Sequence, residues 1–208
     1  MNPKLIEVID KYPDRKKLFD YGCGWGEFAD LMQKKDFEVT GFDDADEMIL
    51  KAKKNFVSPN FLFKKEFNRK YEKLRNTFDV VTSNLLLCIL KKTEQKKMLY
   101  EIKELVKSSG LIVLSFCHPC FDYLKNSAVS KRIAEKNHKY GTEFRYKKII
   151  HENKIEFYDY HRPLEYYTQL FNEENLQIID IKESITISSK VFPDFIIFVL
   201  KKNYDKIL

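Results

Sequence analysis

Short apolar runs alternate with stretches of helical periodicity over the first 116 residues of the chain. The runs at 18–21, 37–42, 61–63 and 78–82 have strand length, and 111–116 is nearly continuous in apolar residues, the pattern of a strand covered on both faces. Between them, 27–35 places Phe28, Leu31 and Met32 on one helical face, and 46–54 does the same with Met48, Ile49 and Ala52. Met98, Leu99, Ile102, Leu105 and Val106 predict a longer helix over 93–106, with Ser108, Ser109 and Gly110 as its stop. Strands and helices in alternation predict an α/β fold, a parallel sheet with helices on both faces. A last helix is predicted at 164–173. The β-rich runs 177–188 and 195–201 close the chain with no helix between them, so they are expected to pair antiparallel.

A chain of 208 residues is the size of one domain. Its 44% hydrophobic and 14% aromatic content excludes a disordered chain, and six glycines with six prolines exclude a fibrous one. No apolar run reaches the roughly 18 residues of a membrane span, and residues 1–15 hold no apolar signal core. Four cysteines do not make a disulfide framework, so free thiols in a cytoplasmic protein are expected. The net charge of +6 is uneven: residues 118–162 hold ten Lys and Arg against six Asp and Glu. All four histidines, His118, His138, His151 and His161, fall in the same segment. A solvated surface insertion and a basic segment facing a ligand are both consistent with that bias.

The densest chemical signal is Asp20-Tyr21-Gly22-Cys23-Gly24-Trp25-Gly26, between the first predicted strand and the first helix. Glycines in such a turn let backbone approach a ligand closely at a helix N-terminus. Two phosphate-binding patterns fail here. A dinucleotide fingerprint needs glycine where Glu27 stands, and a carboxylate there repels a pyrophosphate; a P-loop needs Gly-Lys-Ser/Thr, which is absent. The remaining pattern, acid-x-Gly-x-Gly-x-Gly with Asp43 ending the second strand, resembles motif I of class I S-adenosylmethionine-dependent methyltransferases. That cofactor carries no phosphate. An acid at the turn suits its cationic end, free N–H groups suit its carboxylate, and Asp43 lies where a carboxylate can accept both ribose hydroxyls. Loop capping is the plainer alternative for Asp20 and Asp43.

The resemblance runs on through most of the chain. Residues 78–85 are similar to the family's fourth-strand motif, and 109–115 to its turn and fifth strand. The family implies a Rossmann-like sheet of seven mostly parallel strands with a C-terminal antiparallel hairpin. It implies a cofactor site of Asp20, Gly22, Cys23, Gly24, Gly26, Asp43, Asp44, Met48, Glu66, Phe67, Asn84 and Leu85. Ser115-Phe116-Cys117-His118-Pro119, Tyr140-Gly141-Thr142-Glu143-Phe144-Arg145 and Tyr160-His161-Arg162-Pro163-Leu164 resemble elements of the UbiE-like small-molecule subgroup. In that subgroup the insertion after strand five folds over the acceptor, which implies one domain over 1–208 with 118–162 as its lid. His118 and His161 are then the candidate bases, and Cys88, Tyr140, Arg145 and Arg162 the candidate acceptor contacts.

Four departures stand out. Cys117 replaces the subgroup's Glu before His-Pro, and Cys88 stands where many members have His. The acid expected after strand three is most nearly Glu66, beside Phe67. Only a short segment precedes strand one, so the Ile6 to Tyr12 region or a second subunit is expected to cover the cofactor. Cys117 and Cys120 form a Cys-x-x-Cys with no second pair, and no metal site is expected. The resemblance implies methyl transfer from S-adenosylmethionine, leaving S-adenosylhomocysteine, to an oxygen of a small acidic acceptor. The alternatives are a tRNA or other RNA methyltransferase that uses the basic segment, and a cofactor-binding protein without turnover. A monomer or homodimer with no membrane partner is expected.

Overall fold

The computed structural model describes residues 2–12, 14–120, 130–134, 139–150, 156–184 and 193–203. Ten strands and six helices are described, in the order α1 (Asn2–Asp10), β1 (Lys17–Tyr21), α2 (Glu27–Gln33), β2 (Glu38–Phe42), α3 (Asp46–Asn55), β3 (Asn60–Leu62), α4 (Lys64–Leu74), β4 (Phe78–Asn84), α5 (Lys92–Leu105) and β5 (Val106–Cys117). Then come β6 (Ser130–Ala134), β7 (Phe144–Ile150), β8 (Glu156–His161), α6 (Leu164–Glu173), β9 (Leu176–Glu183) and β10 (Phe195–Lys202). The main sheet has the order β3-β2-β1-β4-β5-β10-β9. The first five strands in that row are parallel, and β10 pairs antiparallel with both β5 and β9.

Residue parity divides the core into two layers. In β5, Ile112, Leu114 and Phe116 face Met98, Leu99 and Ile102 of α5 and Tyr167, Leu170 and Phe171 of α6. Leu111 and Val113 face the other way, with Leu5, Val8 and Ile9 of α1 and Phe28 and Met32 of α2. In β10, Phe198 and Leu200 join the first layer, while Ile197 and Val199 join the second. A strand alternates its side chains across the sheet, so a run that is apolar at every position needs cover on both faces.

The α/β class, the seven strands and the antiparallel end agree with expectation. Three differences have local causes. Helix α5 ends at Leu105, before Gly110, because Val106 is already extended and pairs with Phe78. The register then jumps, since Val80 pairs with Leu111, and residues 107–110 bulge between the two pairings. Gly110 serves that bulge: a Cβ there would lie 2.5 Å from Val106 Cγ2 and 3.0 Å from the Asp79 carbonyl. Helices α1 and α4 were not anticipated, because each has a single narrow apolar face. The insertion after β5 forms a second sheet in the order β6-β7-β8, where the sequence promised only a basic segment. The described part of the last hairpin ends β9 at Glu183; residues 185–188 of the run expected there lie outside the described residues.

Candidate functional site

Chain reversal between β1 and α2 uses three left-handed glycines, Gly22 (φ 77°), Gly24 (φ 53°) and Gly26 (φ 87°). L-residues pay about 1–2 kcal/mol in that region. Crowding adds to the cost at two of them. A Cβ on Gly22 would lie 2.7 Å from Leu86 Cδ2, and one on Gly26 would lie 2.5 Å from Phe61 Cζ. Gly24 is different, for a Cβ there meets nothing within 4 Å. It faces a cavity of about 350 Å³ lined also by Asp20, Gly22, Cys23, Met48, Asn84 and Leu85. A second cavity of about 330 Å³ shares Gly22 and is bounded by Asp43, Asp44, Lys64, Phe67, Asn68 and Leu86. The glycine turn thus separates two halves of a cleft at the carboxyl ends of the parallel strands, where such folds receive ligands.

Two acids flank the turn. Asp43 Oδ2 accepts the Gly24 N–H at 2.9 Å, and its Oδ1 accepts the Ala45 N–H at 2.9 Å. A carboxylate offers about four lone-pair directions, so each oxygen retains capacity for a hydroxyl donor. Asp20 is buried and accepts the Thr82 hydroxyl at 2.9 Å. Burial pushes its carboxyl up to about 7, the Thr82 hydrogen bond opposes this, and the charge of Asp43 adds to it. A cation entering the first cavity would restore its charge. Asp44 is exposed and pairs with Lys64 at 2.6 Å on the rim of the second cavity.

The opposite wall comes from the ends of β4 and β5. Leu85 has φ 58°, a strained value for leucine, and is held there by its N–H bond to the Ser115 carbonyl at 2.8 Å. Asn84 Oδ1 accepts the Ser115 hydroxyl, and its amide donates to Asn2 Oδ1 at 3.3 Å. Asn2 therefore covers the cavity from the start of α1. Ile6 and Tyr12, the expected cover, pack instead on the apolar layer.

Several expected residues are placed elsewhere. Glu66 caps α4, accepting the Phe63 N–H at 3.1 Å, and lies 3.6 Å from Lys53; it lines neither cavity. Asn68, two residues further along α4, lines the second cavity and was missed. His118 Nδ1 accepts the Cys120 N–H at 3.1 Å, and Nε2 lies 3.0 Å from Glu183 Oε1, at ion-pair distance but off hydrogen-bond alignment. Burial holds its ring below the usual imidazole range despite Glu183. His161 Nε2 lies 2.9 Å from the Tyr140 carbonyl, and its ring stacks on Phe144. His138 and His151 lie outside the described residues.

Strand parity sorts the side chains of the second sheet. Arg145, an expected acceptor contact, is exposed on the outer face with its guanidinium 3.5 Å from the Tyr158 ring centroid, and it lines neither cavity. Tyr140, in the turn before β7, is exposed. The inward positions of β6, β7 and β8 hold Arg132, Tyr146, Lys148, Asp159 and His161. Period-two reading of 144–148 would have found Lys148 had the segment been recognised as strand. Arg162 is buried, donates to Glu143 at 2.9 Å and to the Leu90 carbonyl at 3.0 Å, and fastens the end of β8 to the turn after β4. Cys88 sits in that turn, its carbonyl accepting the Tyr160 N–H at 3.0 Å.

A seven-stranded sheet with one reversed strand, a left-handed glycine turn and an acid at the end of β2 define a Rossmann-like methyltransferase fold. The family described as "Methyltransferase domain" matches residues 1–181, and the chain belongs to it. A methyltransferase candidate of Geobacillus sp. (strain WCH70) is 32% identical over 106 residues, 47% of this chain and 41% of that protein. The matched stretch is thus well under half of that relative's length. Among solved structures, the PH0226 protein of Pyrococcus horikoshii OT3 superposes with TM-score 0.71 at 21% identity, covering 97% of this chain and 89% of that one. An S-adenosylmethionine-dependent methyltransferase of Clostridium acetobutylicum ATCC 824 gives 0.68 at 14%, covering 97% and 90%. The glycopeptide N-methyltransferase MtfA complexed with S-adenosylmethionine gives 0.72 at 10%, covering 97% and 93%. These three likenesses concern the fold. Among the described residues, no helix is long and apolar enough to cross a membrane.

Proposed function

We propose that this protein transfers the methyl group of S-adenosylmethionine to an oxygen of a small carboxylate- or phosphate-bearing metabolite enclosed by the lid. The observation that carries the acidic acceptor is the burial of Arg132, Lys148 and Arg162, at 5%, 8% and 1% exposure, on the inward side of the lid region. Asp159 answers Lys148 and Glu143 answers Arg162, so among the described residues three buried cations meet two acids there, a positive surplus that suits an anionic acceptor group.

The cleft suits the cofactor. Gly24 leaves open the space a side chain would occupy, Asp20 awaits a cation, and Asp43 retains acceptor capacity for ribose hydroxyls. Phe67 and Leu86 offer apolar walls for the base. When bound, S-adenosylmethionine supplies a methyl group already activated by a sulfonium. The chain's own residues then orient the acceptor and exclude water. Both candidate histidines have ring nitrogens engaged with the fold, which favours an acceptor oxygen that is already anionic and needs no base. The UbiE-like subgroup is the finer assignment that the lid motifs support.

Calorimetry with S-adenosylhomocysteine tests the cofactor reading, and absence of heat at millimolar ligand would overturn it. A methyl-transfer screen of carboxylates, phosphates and tRNA tests the acceptor. A second reading draws on the outer lid face, where Lys131 and Arg145 are exposed beside Tyr158. Transfer to tRNA that falls steeply with salt would support it against the metabolite reading.

A further inference from the structure

Beneath the lid, four titratable side chains meet outside both cavities. Cys88 comes from the turn after β4 and Cys117 from the end of β5, while Lys148 and Asp159 come from the inward faces of β7 and β8. Lys148 Nζ lies 3.4 Å from Cys117 Sγ and 3.5 Å from Asp159 Oδ2. The Cys88 S–H donates to the Leu85 carbonyl at 3.6 Å, and its sulfur interacts with Cys117. Arg132 stands directly opposite Lys148 in the lid register, adding a second buried positive charge.

The two thiols are inequivalent. Its hydrogen bond with Cys117, then burial, push the Cys88 thiol well above the usual range, so it keeps its proton. Burial disfavours the Lys148 ammonium, but its neighbours Cys117 and Asp159 outweigh this and hold the ammonium charged. Cys117 thus has the Lys148 ammonium 3.4 Å away, the kind of neighbour that favours a thiolate over a thiol.

We propose that Cys117 and Cys88 are a reactive thiol pair, with Cys117 attacking a hydroperoxide and Cys88 resolving the product to a disulfide. In the first step the Cys117 thiolate attacks one peroxide oxygen. The S–O bond forms, the O–O bond breaks, and hydroxide leaves. In the second step Cys88 attacks the sulfenic sulfur. The S–S bond forms, the S–O bond breaks, and the departing hydroxyl takes the Cys88 proton as water. Two thiols lose two electrons and one peroxide is reduced. Hydrogen peroxide is close to water in size, and Leu85, beside Cys88, is 37% exposed on the rim of the first cavity. The disulfide removes the Cys117 sulfur as a partner of Lys148 and leaves Asp159 as its counter-charge.

The test treats reduced protein with hydrogen peroxide at neutral pH, alkylates the remaining thiols and maps peptides without reduction. A Cys88–Cys117 link forming before oxidation of the less buried Cys120 is the expected result. Cys88→Ser should leave a dimedone-trappable sulfenic acid on Cys117. Lys148→Met should slow Cys117 oxidation about tenfold or more, and Lys148→Arg should largely restore it. If Cys120 reacts while Cys88 and Cys117 stay alkylatable, the proposal is overturned. Equal rates for Lys148→Met and the parent chain, with both folded by circular dichroism, would also overturn it; should Lys148→Met fail to fold, a slow Lys148→Arg does the same. The readout is thiol chemistry, so a chain that binds no S-adenosylhomocysteine yet forms the link refutes the proposed function alone.

Discussion

The Asp43 carboxylate binds the Gly24 N–H through one oxygen and the Ala45 N–H through the other, both at 2.9 Å. One side chain therefore clips the glycine turn to the start of α3 before any ligand arrives. Asp43→Ala frees both N–H groups and removes the proposed ribose acceptor. Each lost partner costs about 1–3 kcal/mol. Calorimetry should show affinity for S-adenosylhomocysteine down at least tenfold, and thermal unfolding should show a lower midpoint. Unchanged affinity would place the ribose elsewhere.

The three glycines should separate by what surrounds them. Gly26→Ala meets Phe61 and keeps a left-handed φ, so it should destabilise by roughly 2–4 kcal/mol from backbone strain and overpacking together. Gly24→Ala has room and should cost only about 1–2 kcal/mol. Its methyl group enters the cavity, so cofactor affinity should fall further than stability does. Denaturant titration beside calorimetry distinguishes the two patterns.

Asp20 gives a pH dependence whose sign is fixed by the direction of its shift. Its folded carboxyl stands at about 7, above the ordinary 3.8, so the folded chain holds a proton that the unfolded chain has released. The contribution to stability is present below about 4 and is lost as pH rises through about 7. Asp20→Asn should flatten that slope in unfolding curves taken between pH 4 and 8. A cationic ligand favours the carboxylate, so binding should release protons near neutral pH and tighten as pH rises. Calorimetry in buffers of different ionisation enthalpy reads the proton count, and proton uptake would contradict the placement of the cation.

His118 is built into the turn after β5 through Cys120 and Glu183. His118→Asn can still accept the Cys120 N–H, so turnover should be largely retained while the melting midpoint falls. Loss of about 100-fold or more in turnover at unchanged cofactor affinity would assign it the role of a base.

By itself the sequence determined the α/β class, the parallel sheet with its reversed end, and the turn from Asp20 to Gly26 with Asp43. These are local signals. Apolar periodicity records which face of a strand or helix is buried, and three left-handed residues in one short turn call for glycines. Only the tertiary structure decided the rest. It put Asn2 over the cavity, Glu66 on a helix cap, Arg145 on the outer face of the second sheet and Lys148 on its inner face. It also brought Cys88 to Cys117 from segments 29 residues apart. The reason is that a side chain's partners depend on how distant segments close on one another. In a half-buried strand one step along the chain moves a residue from pocket to solvent, so a lid read as basic sequence could not say which of its cations faced inward.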